Sequence, residues 1–277
     1  MLRNTKELSK YVIGATNGTI GHAEDFYFDD EAWVVRYLVV NTGSWLSGRE
    51  VLISPIALGP PNAAEQVLPV SITREQVEHS PDIDTRRPVS RQHESRFLSY
   101  YGYPYYWGGI GLWGSGLYPG MLLPEATGLA TARDLDRGDL DADDIDRNDP
   151  RHANDDVHLR SCKGVTGYHI EAADGDIGHV DGFLVDDQTW AIRFLIVNTS
   201  NWWLGHQVLV SPQWVNEVNW ELSSVYVTMT RAEVQAAPPY DAAKEVNREQ
   251  EVSIYDHYRR PGYWANDDAR GTHPRGR

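Results

Sequence analysis

The sequence is poor in the groups that usually announce chemistry. One cysteine, Cys162, occurs in 277 residues, which excludes an intrachain disulfide and any cysteine-rich metal site. Positive charge is also scarce: 25 Lys and Arg stand against 40 Asp and Glu, a formal net charge of −15. That balance argues against nucleic acid and anionic lipid as partners, since both are held through clustered cations. No run reaches the roughly 18 apolar residues of a spanning helix, so no stable membrane insertion is expected. The opening segment Met1–Glu7 has no apolar signal core, and a cytoplasmic location is the default expectation. No nucleophile–base pair, phosphate-cradling glycine loop or Cys/His cluster is recognisable. The sequence therefore predicts no enzyme and calls for no cofactor or resident metal.

What the chain does have is a second copy of itself at a constant offset of 157 residues. Asn17-Gly18-Thr19-Ile20-Gly21-His22 returns as Asp174-Gly175-Asp176-Ile177-Gly178-His179, and Asp29-Asp30 with Trp33 returns as Asp186-Asp187 with Trp190. Arg36-Tyr37-Leu38-Val39-Val40-Asn41-Thr42 returns as Arg193-Phe194-Leu195-Ile196-Val197-Asn198-Thr199. Val51–Pro55 returns as Val208–Pro212, and the register holds from Arg3/Arg160 to Trp107/Trp264 without a gap. Copies this far apart are domain-sized units rather than the short repeats of a solenoid. The predicted organisation is a first β domain over 1–80, a helical extension over 81–107 and a connecting region over 108–156. A second β domain over 157–237, its extension over 238–265 and a polar tail over 266–277 complete it.

Within each copy the turn dipeptides Asn17-Gly18 and Asp174-Gly175 suit a hairpin, because such turns need positive φ. The apolar, β-branched segments Trp33–Val40 and Trp190–Val197 read as central strands buried on both faces. Shorter strands fit Val51–Ile53, Val67–Ile72, Val208–Val210, Trp214–Trp220 and Val225–Met229, whereas Gly59-Pro60-Pro61 should break the counterpart of Trp214–Trp220. Thr73-Arg74-Glu75-Gln76 and Thr230-Arg231-Ala232-Glu233 fit helix capping boxes, and Asn247 and Ser90 open further helices. The fold class is mainly β: two small β-barrels in tandem, closed to remove edges, each followed by one or two short helices. Between the copies, Tyr100–Trp113 carries enough Tyr and Trp to fold back onto barrel surface, while the acidic Asp134–Asp156 is expected to stay exposed and mobile. The excess negative charge concentrates there, with about −7 in residues 108–156.

The residues Gly18–His22, Phe26, Asp29-Asp30, the strand Trp33–Thr42 and Val51–Pro55, and their second copies through Ser211-Pro212, resemble the PRC-barrel family. That family is named for the cytoplasmic domain of the photosynthetic reaction centre H subunit, and it includes the C-terminal domain of a ribosome maturation factor. The resemblance covers roughly 75 residues in each copy, and the whole chain resembles bacterial tandem PRC-barrel proteins. It implies a barrel used for assembly or protein binding. The expected function is a non-enzymatic adaptor with an unidentified protein partner, its barrels associated as an internal pseudo-dimer and homo-oligomers possible. The alternative is a small-ligand or metal sensor using the groove between the barrels.

Several residues invite a chemical reading. His22 and His179 recur beside acids, but a histidine following a turn at a strand start serves packing more often than metal. The Asp pairs suit turns, where the side chain bonds its own backbone. Asp139, Asp141 and Asp143 begin like a calcium loop, yet Asp144 and Pro150 stand where Gly and Glu are required. Cys162 aligns with Thr5 and reads as a small structural side chain. Arg36 and Arg193 interrupt apolar strands and must be ion-paired or reach the surface along their stems. Together with Trp33, Trp190, Trp45, Trp202 and Trp203 they form the candidate protein interface, for which buried aromatics and arginines are the typical anchors.

Overall fold

The computed structural model describes residues 1–83, 89–107, 111–114, 116–123, 158–199 and 206–265. The protein is mainly β, with thirteen strands among the described residues in two mixed sheets, and short helices. The first copy supplies β1 (Leu2–Asn4), α1 (Thr5–Leu8), β2 (Val12–Ala15), β3 (Gly18–Asp29), β4 (Val34–Asn41), β5 (Glu50–Ile53), β6 (Val67–Pro69), α2 (Arg74–Glu78) and α3 (Arg91–Tyr101). The second supplies β7 (Leu159–Ser161), α4 (Cys162–Val165), β8 (His169–Ala172), β9 (Gly175–Asp186), β10 (Ile192–Asn198), β11 (Gln207–Val210), β12 (Val215–Asn219), β13 (Ser224–Val227), α5 (Arg231–Gln235) and α6 (Arg248–His257). Each β region is followed by two short helices, within the expected one or two, and a one-turn helix lies near the start of each copy.

The chain divides into two compact units that cross the sequence ranges. One comprises Lys6–Cys162 with Asp187–Ala191, the other Met1–Thr5 with Lys163–Asp186 and Ile192–Arg277. In the first, the sheet order is β5-β4-β3-β2-β6, with β7 on β3. In the second it is β11-β10-β9-β8-β13-β12, with β1 on β9. Among the described residues neither path returns to its first strand. The pairings β2–β6 and β8–β13 are parallel and all the others antiparallel.

Each unit therefore takes one strand from the other repeat, and the two exchanges are register-identical. Leu2, Arg3 and Asn4 face Asp186, Val185 and Leu184, while Leu159, Arg160 and Ser161 face Asp29, Phe28 and Tyr27. The cause lies in strand length. The 12-residue strand β3 is covered on one edge by β4, but β2 reaches only Gly18–His22 of the other edge. The remaining unpaired edge, an energetic liability, is filled by β7.

Local chemistry explains the elements. β4 is buried over Val34–Val40, as its unbroken apolar run requires. A Cβ at Gly21 would lie 1.9 Å from the Asn41 carbonyl oxygen, and one at Gly178 2.1 Å from that of Asn198, so only glycine lets the two strands approach. Reciprocal capping boxes at Thr73, Thr230 and Asn247 start α2, α5 and α6. The turn residues do more than turn: Asn17 accepts from the Arg74 amide at 2.9 Å, and Asp174 from that of Arg231 at 2.7 Å. Each thus ties its hairpin to the following helix. Trp214 belongs to a 3-10 turn, Pro212–Trp214, and the strand expected from it begins at Val215.

Candidate functional site

The side chains that converge most closely come from β3, β4, α3 and the aromatic segment of the first unit. Asp29, at the end of β3, accepts from the Glu31 and Ala32 amides at 3.0 and 3.1 Å through one oxygen. Its other oxygen accepts from Arg36 at 3.2 Å. Arg36 is 3% exposed, donates to the Leu112 carbonyl at 2.6 Å, and lies 4.0 Å from the Tyr106 ring and 4.8 Å from the Trp113 ring. Its Nε has no hydrogen-bond partner among the described residues. Burial lowers the Arg36 pKa, and the neighbouring Tyr106 and Asp29 oppose that shift.

Within electrostatic reach of this guanidinium is Glu94 of α3, fully buried. Its carboxylate accepts a short hydrogen bond from the Tyr106 hydroxyl and meets His158 Nε2 at 2.6 Å and Arg91 at 3.3 Å. Arg91 also lies 4.4 Å from the Trp107 ring. Burial, then the adjacent Glu94 charge, holds the Tyr106 and Tyr37 phenols well above their ordinary range.

The second unit repeats this cluster at the same offset. Arg193 approaches Asp186 at 3.9 Å and lies 3.9 Å from the Tyr263 ring. Tyr263 donates to Glu251 at 2.6 Å, and Arg248 meets Glu251 at 3.4 Å and the Trp264 ring at 4.6 Å. Here the Glu251 pKa is raised by burial, with the Tyr263 hydrogen bond and Arg248 acting against the shift. Carboxylates and guanidinium groups alternate in both clusters, so each buried charge is met by its opposite, the condition for tolerating charge in an interior. Chemically, such an arrangement fastens α3 and α6 to their sheets.

The candidate interface residues fall into different places. Arg36 and Arg193 belong to the paired clusters. Trp190 is buried; its carbonyl accepts from the Val35 amide at 2.8 Å. Trp33 is half-buried with φ at 54° and stacks on Phe28 at 5.2 Å. Trp45 is half-buried in the 3-10 turn Gly43–Leu46, donates to the Ile20 carbonyl, and carries Arg74 over its ring at 4.2 Å. Trp202 and Trp203 lie outside the described residues, as does the acidic stretch 134–156.

The aromatic segment does pack: Tyr103, Tyr106 and Trp113 are buried, and Trp113 Nε1 donates to the Thr189 carbonyl at 2.8 Å. Burial and nearby Asp25 push the Cys162 thiol well up, which keeps it protonated and unreactive. No group of three His, Cys, Asp or Glu side chains is arranged to hold a metal among the described residues. No described helix is long and apolar enough to cross a membrane.

Two clefts lie in the second unit. One of about 140 Å³ is lined by Leu209, Pro238, Tyr240, Lys244, Gln250 and others. The other, about 200 Å³, is lined by Thr199, His206, Val208, Val234 and neighbours. Sequence reasoning found the arginines and the aspartates but missed Glu94, Glu251, His158, Tyr106 and Tyr263. The available signal was the constant offset linking Arg91/Arg248, Glu94/Glu251 and Tyr106/Tyr263, three pairs identical in both extensions. No protein-family model matches the chain, and no curated protein matches it either.

Proposed function

We propose that the protein is a non-enzymatic assembly or adaptor module built from tandem PRC-type barrels, working in the cytoplasm and binding a protein partner. The observation that carries this reading is the fate of the recurrent polar residues. In both units Asp, Arg, Glu and Tyr are spent on one another, fixing helix to sheet. Rigid aromatic positions then offer the contact surface: half-buried Trp33 on Phe28, and half-buried Trp45 braced by Arg74. Pre-positioned indoles suit interface hot spots, because little side-chain freedom is lost on binding. Each sheet draws one strand from the opposite repeat, so neither repeat is complete without the other.

A sensor for a small ligand is the second reading, favoured by the two clefts. Their volumes fall below the roughly 300 Å³ at which ligand pockets usually begin. Affinity capture on the full chain, beside the Trp33→Ala and Trp45→Ala variants, tests the adaptor reading. It expects one stoichiometric partner whose recovery falls at least about tenfold in a variant, the loss of a hot spot. Unchanged recovery in both variants, or no enriched protein, contradicts it.

A further inference from the structure

We propose that two copies of this chain assemble by exchanging whole second repeats, each first repeat taking its missing strand from the other molecule. The two units are held as composites by contacts that any second repeat could supply. Within the first unit these are the β3–β7 ladder, the Arg160–Asp30 pair at 2.8 Å, the Val34–Ala191 bridge and the Trp113–Thr189 hydrogen bond. Within the second it is the β9–β1 ladder. None of them depends on which molecule provides the partner segment, which is the condition for domain swapping. Leu159 and Cys162 of the donated segment are buried in the accepting unit, so an empty edge would expose both an unpaired ladder and apolar surface.

The balance between closed monomer and exchanged dimer is set by the connection. Thirty-four residues separate Leu123 from His158 in the sequence, and pairing within one chain corresponds to an effective concentration on the order of millimolar. The closed monomer is therefore favoured in dilute protein, and exchange competes when chains fold at comparable concentration. The inference deepens the assembly reading by naming a second copy as one partner. Its failure would leave binding of an unrelated protein untouched.

The full chain is unfolded, refolded at about 1 µM and about 1 mM, the upper value reaching the range of intramolecular effective concentration, and sized by light scattering after dilution. The expected result is monomer from the dilute sample and a persistent dimer fraction from the concentrated one. In a Cys162→Thr background, Asn4→Cys with Leu184→Cys joins facing positions of the β1–β9 ladder, and Tyr27→Cys with Ser161→Cys joins those of β3–β7. Oxidation of the dimer should then give covalent dimers on a non-reducing gel, and oxidation of the monomer only monomers. Monomer at both concentrations overturns the proposal. So does a dimer whose cysteines close only within chains, because its contact would then lie elsewhere.

Discussion

Glu94 and Glu251 occupy the same position in two copies of one sequence, yet their surroundings differ in polarity. Glu94 faces Tyr106, Arg91 and His158, with the Tyr37 phenol close by, and Arg36 above it is covered by Leu112 and Trp113. At the corresponding positions the second unit has Phe194 for Tyr37 and Met1 for His158. Leu112 and Trp113 lie beyond the shared register, which ends at Trp107/Trp264. The apolar shell shifts in step: Tyr37 packs on Phe97 at 5.2 Å, whereas Phe194 packs on Tyr255, whose hydroxyl donates to Ser211 at 2.9 Å. A duplicated core can thus relocate a phenol by one side chain and keep its charge pairs. The ion-paired frame is what the copies share, and its polar surroundings are what they vary.

The largest expected effect breaks the frame where it is most buried. Glu94→Ala would strand Arg91, Tyr106 and His158 without their carboxylate, and should cost about 3–5 kcal/mol, the range for removing one member of a buried pair. Glu251→Ala, with fewer polar groups on its carboxylate, should cost less, about 2–3 kcal/mol. Denaturant unfolding, with hydrogen exchange to assign the loss to a unit, checks the order. Equal losses would erase the proposed difference. Trp113→Ala removes a fully buried indole together with its bond to Thr189. It should destabilise the first unit by about 3–4 kcal/mol and leave exchange in the second unchanged.

The two copies should also respond differently to a phenol. Phe194→Tyr places a hydroxyl among buried groups and should cost about 1–3 kcal/mol, against under about 1 kcal/mol for Tyr37→Phe. A free interchange would mean that Glu94 does not distinguish the copies.

Acidity supplies a further comparison. The Glu251 carboxyl has its folded pKa raised above the ordinary 4.5, so the folded state holds that proton more tightly. Its contribution to stability is full below the unfolded value and is lost as pH rises through the folded one. Stability of the second unit should therefore decline as pH rises from about 4.5 through that range, and Glu251→Gln should flatten the decline. An identical pH profile for the variant would contradict the assignment. A small effect is also expected for Asn247→Ala, which should cost about 1 kcal/mol in denaturant unfolding by opening the α6 capping box.

Much of this was legible in the sequence, for identifiable reasons. The repeat register, the buried strand expected over Trp33–Val40 and found from Val34, the capping boxes and the aromatic segment all rest on local patterns, and each has a local physical cause. Pairing of Arg36 with a repeated aspartate was legible too, since a buried guanidinium must find a charge. The strand exchange was not. Leu2–Asn4 and Leu159–Ser161 share Leu and Arg at the repeat offset and differ only at Asn4/Ser161, so no periodicity shows whether each serves its own repeat or the other. Nor could spacing show why Gly21 and Gly178 recur, because the Asn41 and Asn198 carbonyls they accommodate lie on the next strand.

Both sheets depend on the strand exchange between the repeats. Cross-strand nuclear Overhauser effects in the deuterated, amide-labelled chain at low concentration decide it. The expected contacts join Arg3 to Val185 and Arg160 to Phe28. Contacts of Arg3 with Phe28 and of Arg160 with Val185 would show each repeat completing its own sheet, and would contradict it.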